Sequence, residues 1–541
     1  MFSHRWVLTH GSILSPLQQA QVRDPVRLFG GRRGCQHPDR VRVRHHVRYD
    51  YSEDDEVANI LTVSASGIMF SHRWVLTHGS ILSPLQQAQV ISNAKRRPIL
   101  NDEFYANLPE IYVTCEKRSD GSAYDSVEKL SRERSDGLTD LDHSSYHVRV
   151  LTGRIVHAWQ CGVLDRCVDA IMFSWTIGHR DGDVRAQTQL GKALLSVFVL
   201  VDLESGRGDA VPLRPLSELF DMVKPAPARG SEVLVHSTPF GNEVFLNTVT
   251  KGCVCGAVGT RPSLLLTDCA SSLGSEGGPV SSLVGMVVCS VSWWRGEWVG
   301  LTLAAPLRTV LAHKLSVPAK KRKPLETGHY LIDACTVLVR CGNAWGAGVY
   351  VGGGHVLTCA HVVKDHTSEK VSVYWQGVKE TAMVRYSSRD GRAYDVALAC
   401  FQPFHQVFPT FPGELVLAAG YPYFSDSSVP QLRPTVTRGH LSNVSPSMLQ
   451  TTCCVQSGFS GGPIFRLTTD GAAVVGMIVS NARTHSGATH PYVNMAAPAA
   501  ALLRPLADYM RDRDQSKISQ LGNMDEMIQQ QWRLLPYRSK I

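Results

Sequence analysis

Short apolar runs separated by turn residues dominate this chain. Segments such as YDVALACF (394–401), GELVLAAGYP (413–422) and VVGMIVSNA (474–482) are bounded by Gly, Pro, Ser and Asn. Helical periodicity is confined to Leu503–Asp514 and to parts of 150–175. Runs of about five to eight residues with this punctuation are typical of antiparallel sheets. The pattern therefore predicts an all-β protein built from sandwiches or barrels.

Residues 1–22 recur without a single change at 69–90. Surface positions of a fold are free to drift, so identity over this length indicates a recent duplication or an error in the gene model. The second copy follows a plausible strand, whereas the first does not. We therefore expect residues 1–54 to be non-structural.

An older repeat divides the rest of the chain. TVTKG and LLLTDCASSLGSEGGPV in the first half match TVTRG and LQTTCCVQSGFSGGPIF in the second, in the same order. Two related domains are the economical interpretation. The predicted parts are a degenerate domain at 55–312, a basic linker at 313–329, a second domain at 330–506 and a tail at 507–541. The first domain carries a charged insertion at 91–190, of which 91–150 is expected to be flexible.

Composition excludes several classes of function. Among 541 residues, 43% are hydrophobic and 19% are charged, which is ordinary for a globular protein. The net charge of +8 is mild for this length, and no nucleic-acid-binding module accompanies it. Apolar runs stop well short of the ~20 residues of a membrane span. We therefore expect neither a nucleic-acid partner nor a membrane span.

The 14 cysteines are scattered and include no C-x-x-C pair. Zinc sites usually need such spacing, and Cys161, Cys167 and His157 lack both the spacing and a fourth ligand. We therefore expect no metal and no cofactor. A reducing compartment without disulfides fits this cysteine pattern.

The segment Gly458-Phe459-Ser460-Gly461-Gly462-Pro463 carries the sharpest chemical signal. Glycines around a serine allow a tight turn in which backbone N–H groups point to one spot beside the hydroxyl. A serine nucleophile needs a base and an orienting carboxylate. His361 follows a predicted strand, and Asp395 begins another.

These motifs, in the order His, Asp, Ser, resemble those of the chymotrypsin-like serine proteases over about 330–506. The resemblance implies a double β-barrel, with His361 as general base, Asp395 as its orienting partner and Ser460 as nucleophile. It places the N–H groups of Gly458 and Ser460 in an oxyanion hole. It also implies a substrate pocket with uncharged walls, which include Cys454, Ser480, Asn481 and Asn494.

The first half aligns with these motifs but lacks their chemistry. Ser80 stands where the base is expected, and Glu276 stands at the serine position. His78 lies two residues before the position at which the base is expected. The first half is therefore predicted to be a degenerate copy of the same fold, which binds peptide or serves as a packing partner.

The sequence ends in Ser539-Lys540-Ile541, which resembles the peroxisomal tripeptide Ser-Lys-Leu. Together with the two trypsin-like halves, it resembles the peroxisomal processing proteases, relatives of the plant Deg-type glyoxysomal enzymes. That resemblance implies a serine endopeptidase of the peroxisomal matrix that removes presequences from imported enzymes. It implies partners in those matrix substrates and in an import receptor that reads the tripeptide.

The same resemblance implies self-processing and leaves self-association open. We place the self-cleavage at Cys115, because 91–150 is poor in strand signals. Two alternatives remain. One is an HtrA-like quality-control protease without a PDZ domain, and the other is a catalytically decayed peptide-binding scaffold.

Overall fold

The chain folds into four closed β-barrels, two in each half. The computed structural model describes residues 39–49, 59–71, 73–82, 84–96, 108, 110–116, 148–172, 184–203, 213–258, 262–281, 283–294, 297–317, 330–363, 370–376, 378–388, 394–401, 409–422, 433–468, 471–483, 489–522 and 525–532. Each barrel has six strands, and the all-β prediction is confirmed.

The first half contains barrels 1 and 2. Barrel 1 consists of β1 (Asp39–Tyr49), β2 (Asn59–Phe70), β3 (Trp74–His78), β4 (Ile111–Glu116), β5 (Val148–Gln160) and β6 (Val197–Asp202). Barrel 2 consists of β7 (Glu232–Ser237), β8 (Thr248–Val258), β9 (Leu264–Thr267), β10 (Pro279–Val280), β11 (Gly285–Trp294) and β12 (Glu297–Pro306).

The second half contains barrels 3 and 4. Barrel 3 consists of β13 (Thr336–Cys341), β14 (Ala344–Tyr350), β15 (Gly354–Thr358), β16 (Lys370–Trp375), β17 (Val378–Ser387) and β18 (Ala397–Phe401). Barrel 4 consists of β19 (Leu415–Gly420), β20 (Thr435–Val444), β21 (Leu449–Thr451), β22 (Pro463–Thr468), β23 (Gly471–Arg483) and β24 (Thr489–Pro498).

All four barrels have the same strand order. In barrel 1 the neighbours run β1-β2-β3-β6-β5-β4, and the other three barrels repeat that cycle with antiparallel pairing. Closure removes the exposed sheet edges that would otherwise pair with other chains. The repeated order shows that the two halves share one architecture, a pair of six-stranded barrels.

Helices are short and lie outside the barrels. The α-helices are Pro84–Arg96, Gly162–Ile171, Val184–Leu194, Leu213–Met222, Leu307–Lys314, Tyr330–Cys335, Ala360–Val363, Ala499–Asp512, Gln515–Ser519 and Glu526–Trp532, and the 3₁₀ turns are Gly79–Ile81, Pro239–Gly241, Glu243–Phe245 and Gln520–Gly522. Across the ranges given above, none of these helices has the length and apolarity needed to cross a bilayer.

Two expectations about the first half need correction. Residues 39–49, which we expected to be non-structural, form β1 and pair with β2 along its whole length. The presumed insertion 91–190 supplies two strands of barrel 1, β4 and β5. The sequence analysis missed β4 and β5 because the residues that flank them are charged and rich in serine. Barrel 1 closes only because β4 pairs with both β1 and β5.

The halves pack against each other through equivalent strands. β8 lies against β20, which carries the matching TVTRG sequence, and β12 lies against β24. Asp268 links the two sides, since its carboxylate accepts the backbone N–H of Cys253 at 2.6 Å and that of Arg438 at 2.7 Å. Buried Arg229 adds an ion pair to Asp333. The contact between like surfaces resembles the interface of a symmetric dimer.

We predict that Asp268→Ala weakens this junction. Asp268 is 6% exposed, so its removal leaves the buried N–H of Cys253 and the half-buried N–H of Arg438 without an acceptor and costs about 2 kcal/mol. Thr452→Ala is the matched control, because the hydroxyl of exposed Thr452 accepts a single N–H, that of His440, within the described chain. Calorimetry should show a lower melting temperature for Asp268→Ala and little change for Thr452→Ala. Equal losses in the two variants would contradict the role given to Asp268.

Candidate active site

The three polar side chains of the candidate site come from both barrels of the second half. His361 lies in the helical turn Ala360–Val363 directly after β15, and Asp395 precedes β18. Because β15 and β18 pair with Thr358 opposite Ala397, these two residues leave the sheet side by side. Ser460 lies in the turn between β21 and β22 of barrel 4. The site therefore needs both barrels.

Asp395 holds His361 at two points. Its Oδ1 accepts the backbone N–H of His361 at 2.9 Å, and its Oδ2 contacts ring atom Nδ1. The pair is open to solvent, with side chains 48% and 31% exposed. Nδ1 must carry a proton to bind a carboxylate, which leaves Nε2 as the basic nitrogen. This is the tautomer that a general base needs.

Ser460 is half-buried, and its hydroxyl donates to the carbonyl of Val479 at 3.3 Å. The structure gives no hydrogen bond between Ser460 and His361 within the described chain. Catalytic hydrogen bonds are often absent from ligand-free structures and form when substrate binds.

The turn around Ser460 presents two N–H groups. The backbone N–H groups of Gly458 and Ser460 have no acceptor among the described residues, whereas Phe459 N–H donates to Gln456 O. Gly458 has φ of +99°, and a Cβ there would lie 1.9 Å from the carbonyl oxygen of Tyr421. Glycine is therefore required at this position. The two N–H groups can bind an anionic oxygen next to the serine hydroxyl.

The same turn is anchored on barrel 3. The carbonyl of Ser460 accepts the N–H of Ala347 of barrel 3 at 2.9 Å, while the N–H of Gly461 holds the turn to its own barrel at Ile478 O, at 2.8 Å. A Cβ on Gly461 would lie 2.2 Å from the carbonyl oxygen of Ala347. These contacts fix the distance between the serine and the His–Asp pair, because they join the barrels that carry them.

The residues expected in the substrate pocket surround the segment 451–456. Asn481 donates to Val455 O at 2.7 Å, and Asn494 donates to Cys453 O at 2.6 Å. Ser480 is half-buried beside them. Cys454 departs from the expectation, since its side chain is fully buried and donates to the first half, at Val299 O. Its side chain is directed into the first half and does not line an open pocket.

Matching contacts identify the equivalent positions in the first half. Glu276 O accepts the N–H of Ser66 at 2.8 Å, as Ser460 O accepts that of Ala347. Thr77 donates to Ser66 O at 2.6 Å, as Thr358 donates to Ala347 O at 2.8 Å. These pairs agree with the sequence alignment, which places Glu276 at the nucleophile and Ser80 at the base.

The sequence did not reveal that the acid is also replaced in the first half. Thr77 pairs with Val199, as Thr358 pairs with Ala397, so Val197 takes the place of Asp395. Val197 is fully buried, and it leaves no room for a Cβ at Gly79. His78 is buried as well, with Nδ1 accepting the N–H of Ser80. None of the three catalytic groups is therefore present.

Glu276 occupies the oxyanion position of its own half. Its Oε2 accepts the N–H of Gly274 at 2.9 Å, and Gly274 is the equivalent of Gly458. Loss of hydration in this half-buried setting raises the pKa of Glu276 to about 7. The Glu276 carboxyl thus accepts the N–H of Gly274, whereas the equivalent N–H of Gly458 has no acceptor among the described residues.

One cluster of potential metal ligands lies outside the candidate triad. Cys253, Cys255 and Asp268 place potential ligand atoms within 4.8 Å of one another, but Asp268 already accepts two backbone N–H groups. We interpret this cluster as a polar link between the halves.

Cys115 is 6% exposed in β4, where it pairs with Arg149. A protease needs an accessible, extended segment, so the expected cut at Cys115 is wrong for the folded chain.

We predict a pH effect from Glu276. Its folded pKa of about 7 lies above the ordinary 4.5, so its contribution to stability is complete below about pH 4.5 and is lost as the pH rises through about 7. Glu276→Gln removes this titration. Melting temperatures across that range should therefore fall for the wild type relative to the variant. The same change at exposed Glu526 is the control, and parallel curves for Glu276→Gln would contradict the prediction.

Comparison with known proteins adds to this geometry. Residues 346–477 match the model of the trypsin-like peptidase domain. The chain is 32% identical to the human peroxisomal leader peptide-processing protease over 385 residues, which are 62% of this chain and 63% of that protein. The mouse protein of the same name is also 32% identical, with 63% of this chain and 65% of the relative covered.

The chain therefore spans less than two-thirds of the length of these relatives. A solved Mycobacterium tuberculosis protease in its active form is 20% identical and covers 35% of this chain and 92% of its own, with a TM-score of 0.26. The second half contains a trypsin-like serine peptidase domain, and the resemblance to the peroxisomal processing proteases is confirmed.

Proposed function

We propose that the second half is an active serine endopeptidase and that His361, Asp395 and Ser460 are its catalytic triad. The observation that carries this proposal is the docking of the Ser460 turn onto barrel 3, which holds the Asp-bound His361. Within the described residues, that turn presents two N–H groups without acceptors. A structural glycine turn would need none of these features.

In the proposed reaction, Ser460 Oγ attacks the carbonyl carbon of the scissile bond while its proton passes to His361 Nε2. The N–H groups of Gly458 and Ser460 bind the oxygen of the tetrahedral intermediate. Asp395 stabilises the imidazolium through Nδ1. The histidine then protonates the leaving amine. Water, deprotonated by the same histidine, hydrolyses the acyl-enzyme and restores Ser460.

The substrates we propose are peroxisomal matrix enzymes that carry removable presequences. Support comes from the names of the human and mouse relatives, which describe processing of peroxisomal leader peptides. We extend the proposal to self-processing and to a location in the peroxisomal matrix. The tripeptide Ser539–Ile541, proposed to bind an import receptor, lies outside the described residues.

Ser460→Ala should abolish cleavage of a presequence-bearing peroxisomal enzyme and labelling by a fluorophosphonate probe. Loss of a triad nucleophile lowers kcat by about 10⁴-fold or more, because only binding and oxyanion stabilisation remain. Ser519→Ala is the control, since Ser519 is exposed on a distant helix. Labelling that survives Ser460→Ala would point to another serine. A wild-type chain that takes no label would favour the peptide-binding scaffold.

A fluorescent protein fused before the chain should be punctate with the intact tripeptide and diffuse after deletion of Ser539–Ile541. A receptor of this kind reads the terminal carboxylate with its last side chains, and deletion changes both. Peptidase activity should be unaffected. Punctate fluorescence from the truncated fusion would show that entry depends on another element.

A further inference from the structure

The first half touches the second directly behind the segment that leads to the nucleophile. Cys454, six residues before Ser460, belongs to the buried core cluster of the first half. Its thiol donates to Val299 O at 3.0 Å and to Gly300 O at 3.4 Å, both on β12. Burial raises the pKa of Cys454 well above its ordinary value, so the sulfur stays protonated and acts as a donor.

A second donor reaches the same carbonyl from β24. The Tyr492 hydroxyl donates to Gly300 O at 3.1 Å. The residue before it, Pro491, accepts the N–H of Val455 at 2.9 Å. One backbone carbonyl of the first half therefore holds Cys454 directly and holds Val455 through β24.

Gly300 cannot be replaced without moving this contact. Its φ is +64°, where other residues are strained, and a Cβ would lie 2.8 Å from the Tyr492 hydroxyl and 3.3 Å from Cys454 Sγ. The three heavy atoms nearest to that position all belong to the two donors. The local fit thus depends on the absence of a side chain.

The remaining supports of this segment come from barrel 4 itself. Asn481 donates to Val455 O, and Asn494 donates to Cys453 O. The segment is thus held by two amide side chains and by the β12 strand of the degenerate half. A shift of either support moves the backbone that precedes Gly458 and Ser460.

We propose that the degenerate half is a structural wall of the substrate-binding site, and that Gly300 positions the segment 453–456 through Cys454 and Tyr492. This proposal rests on the proposed function, because it assumes that the segment contacts substrate. It gives the first half a role that needs no catalytic group. Gly300 is a positioning residue, since it acts through its neighbours.

The test uses the full chain and fluorogenic peptides that differ only in the residue before the cut. Gly300→Ala should raise KM by about 10-fold or more and change the order of preference among the peptides, while kcat changes little, because His361, Asp395 and Ser460 keep their places. Tyr492→Phe removes one hydroxyl and should raise KM about threefold. Gly256→Ala is the matched control, since a Cβ there meets nothing within 4 Å.

A second measurement does not depend on turnover. Hydrogen–deuterium exchange of residues 451–460 should increase in Gly300→Ala and stay unchanged in Gly256→Ala. If Gly300→Ala does not fold, Tyr492→Phe decides by the same two measurements. Unchanged KM, peptide preference and exchange in folded variants overturn the positioning role. If the wild-type protein takes no fluorophosphonate label, the proposed function is overturned. The proposal that the first half supports the substrate-binding site is then overturned as well.

Discussion

The docking of the glycine-rich turn onto the neighbouring barrel is the contact on which the site depends. The carbonyl of Ser460 accepts the N–H of Ala347 of barrel 3, which leaves the serine side chain out of the docking contact. Gly461 lies so close to barrel 3 that a side chain would collide with its backbone. The nucleophile and the His–Asp pair come from different barrels, so no element inside one barrel could fix their separation.

The first half shows that this docking is separable from catalysis. Glu276 uses its carbonyl as Ser460 does, although all three catalytic positions carry other residues. Its side chain also resolves a problem that the turn creates. N–H groups aimed at one spot lack an acceptor when no substrate is bound, and the Glu276 carboxyl supplies one for Gly274. The turn thus persists as a structural joint between barrels 1 and 2.

Contact between equivalent strands gives the degenerate half a way to influence the other. β8 meets β20 and β12 meets β24, and the residues at the contact are matched in sequence but differ in size, as Gly300 and Tyr492 do. If the two halves were identical, each residue at this contact would have the same residue as its counterpart. Because these two positions differ, the hydroxyl of Tyr492 can donate to the carbonyl of Gly300. Beside this contact, Cys454 of the second half packs in the core of the first half.

The sequence by itself determined the barrel class, the duplication and the residues of the candidate triad. Each of these depends on short motifs whose residues lie close together along the chain, such as the turn around Ser460 and the strand before His361. Only the tertiary structure decided what depends on pairing between distant segments. The strands β1, β4 and β5 were missed because charged residues lie in them or beside them. Closure of barrel 1, a long-range property, is what holds them in place. The buried positions of Cys115 and Cys454 and the loss of the acid at Val197 follow from strand register and from packing between the halves, which no local pattern encodes.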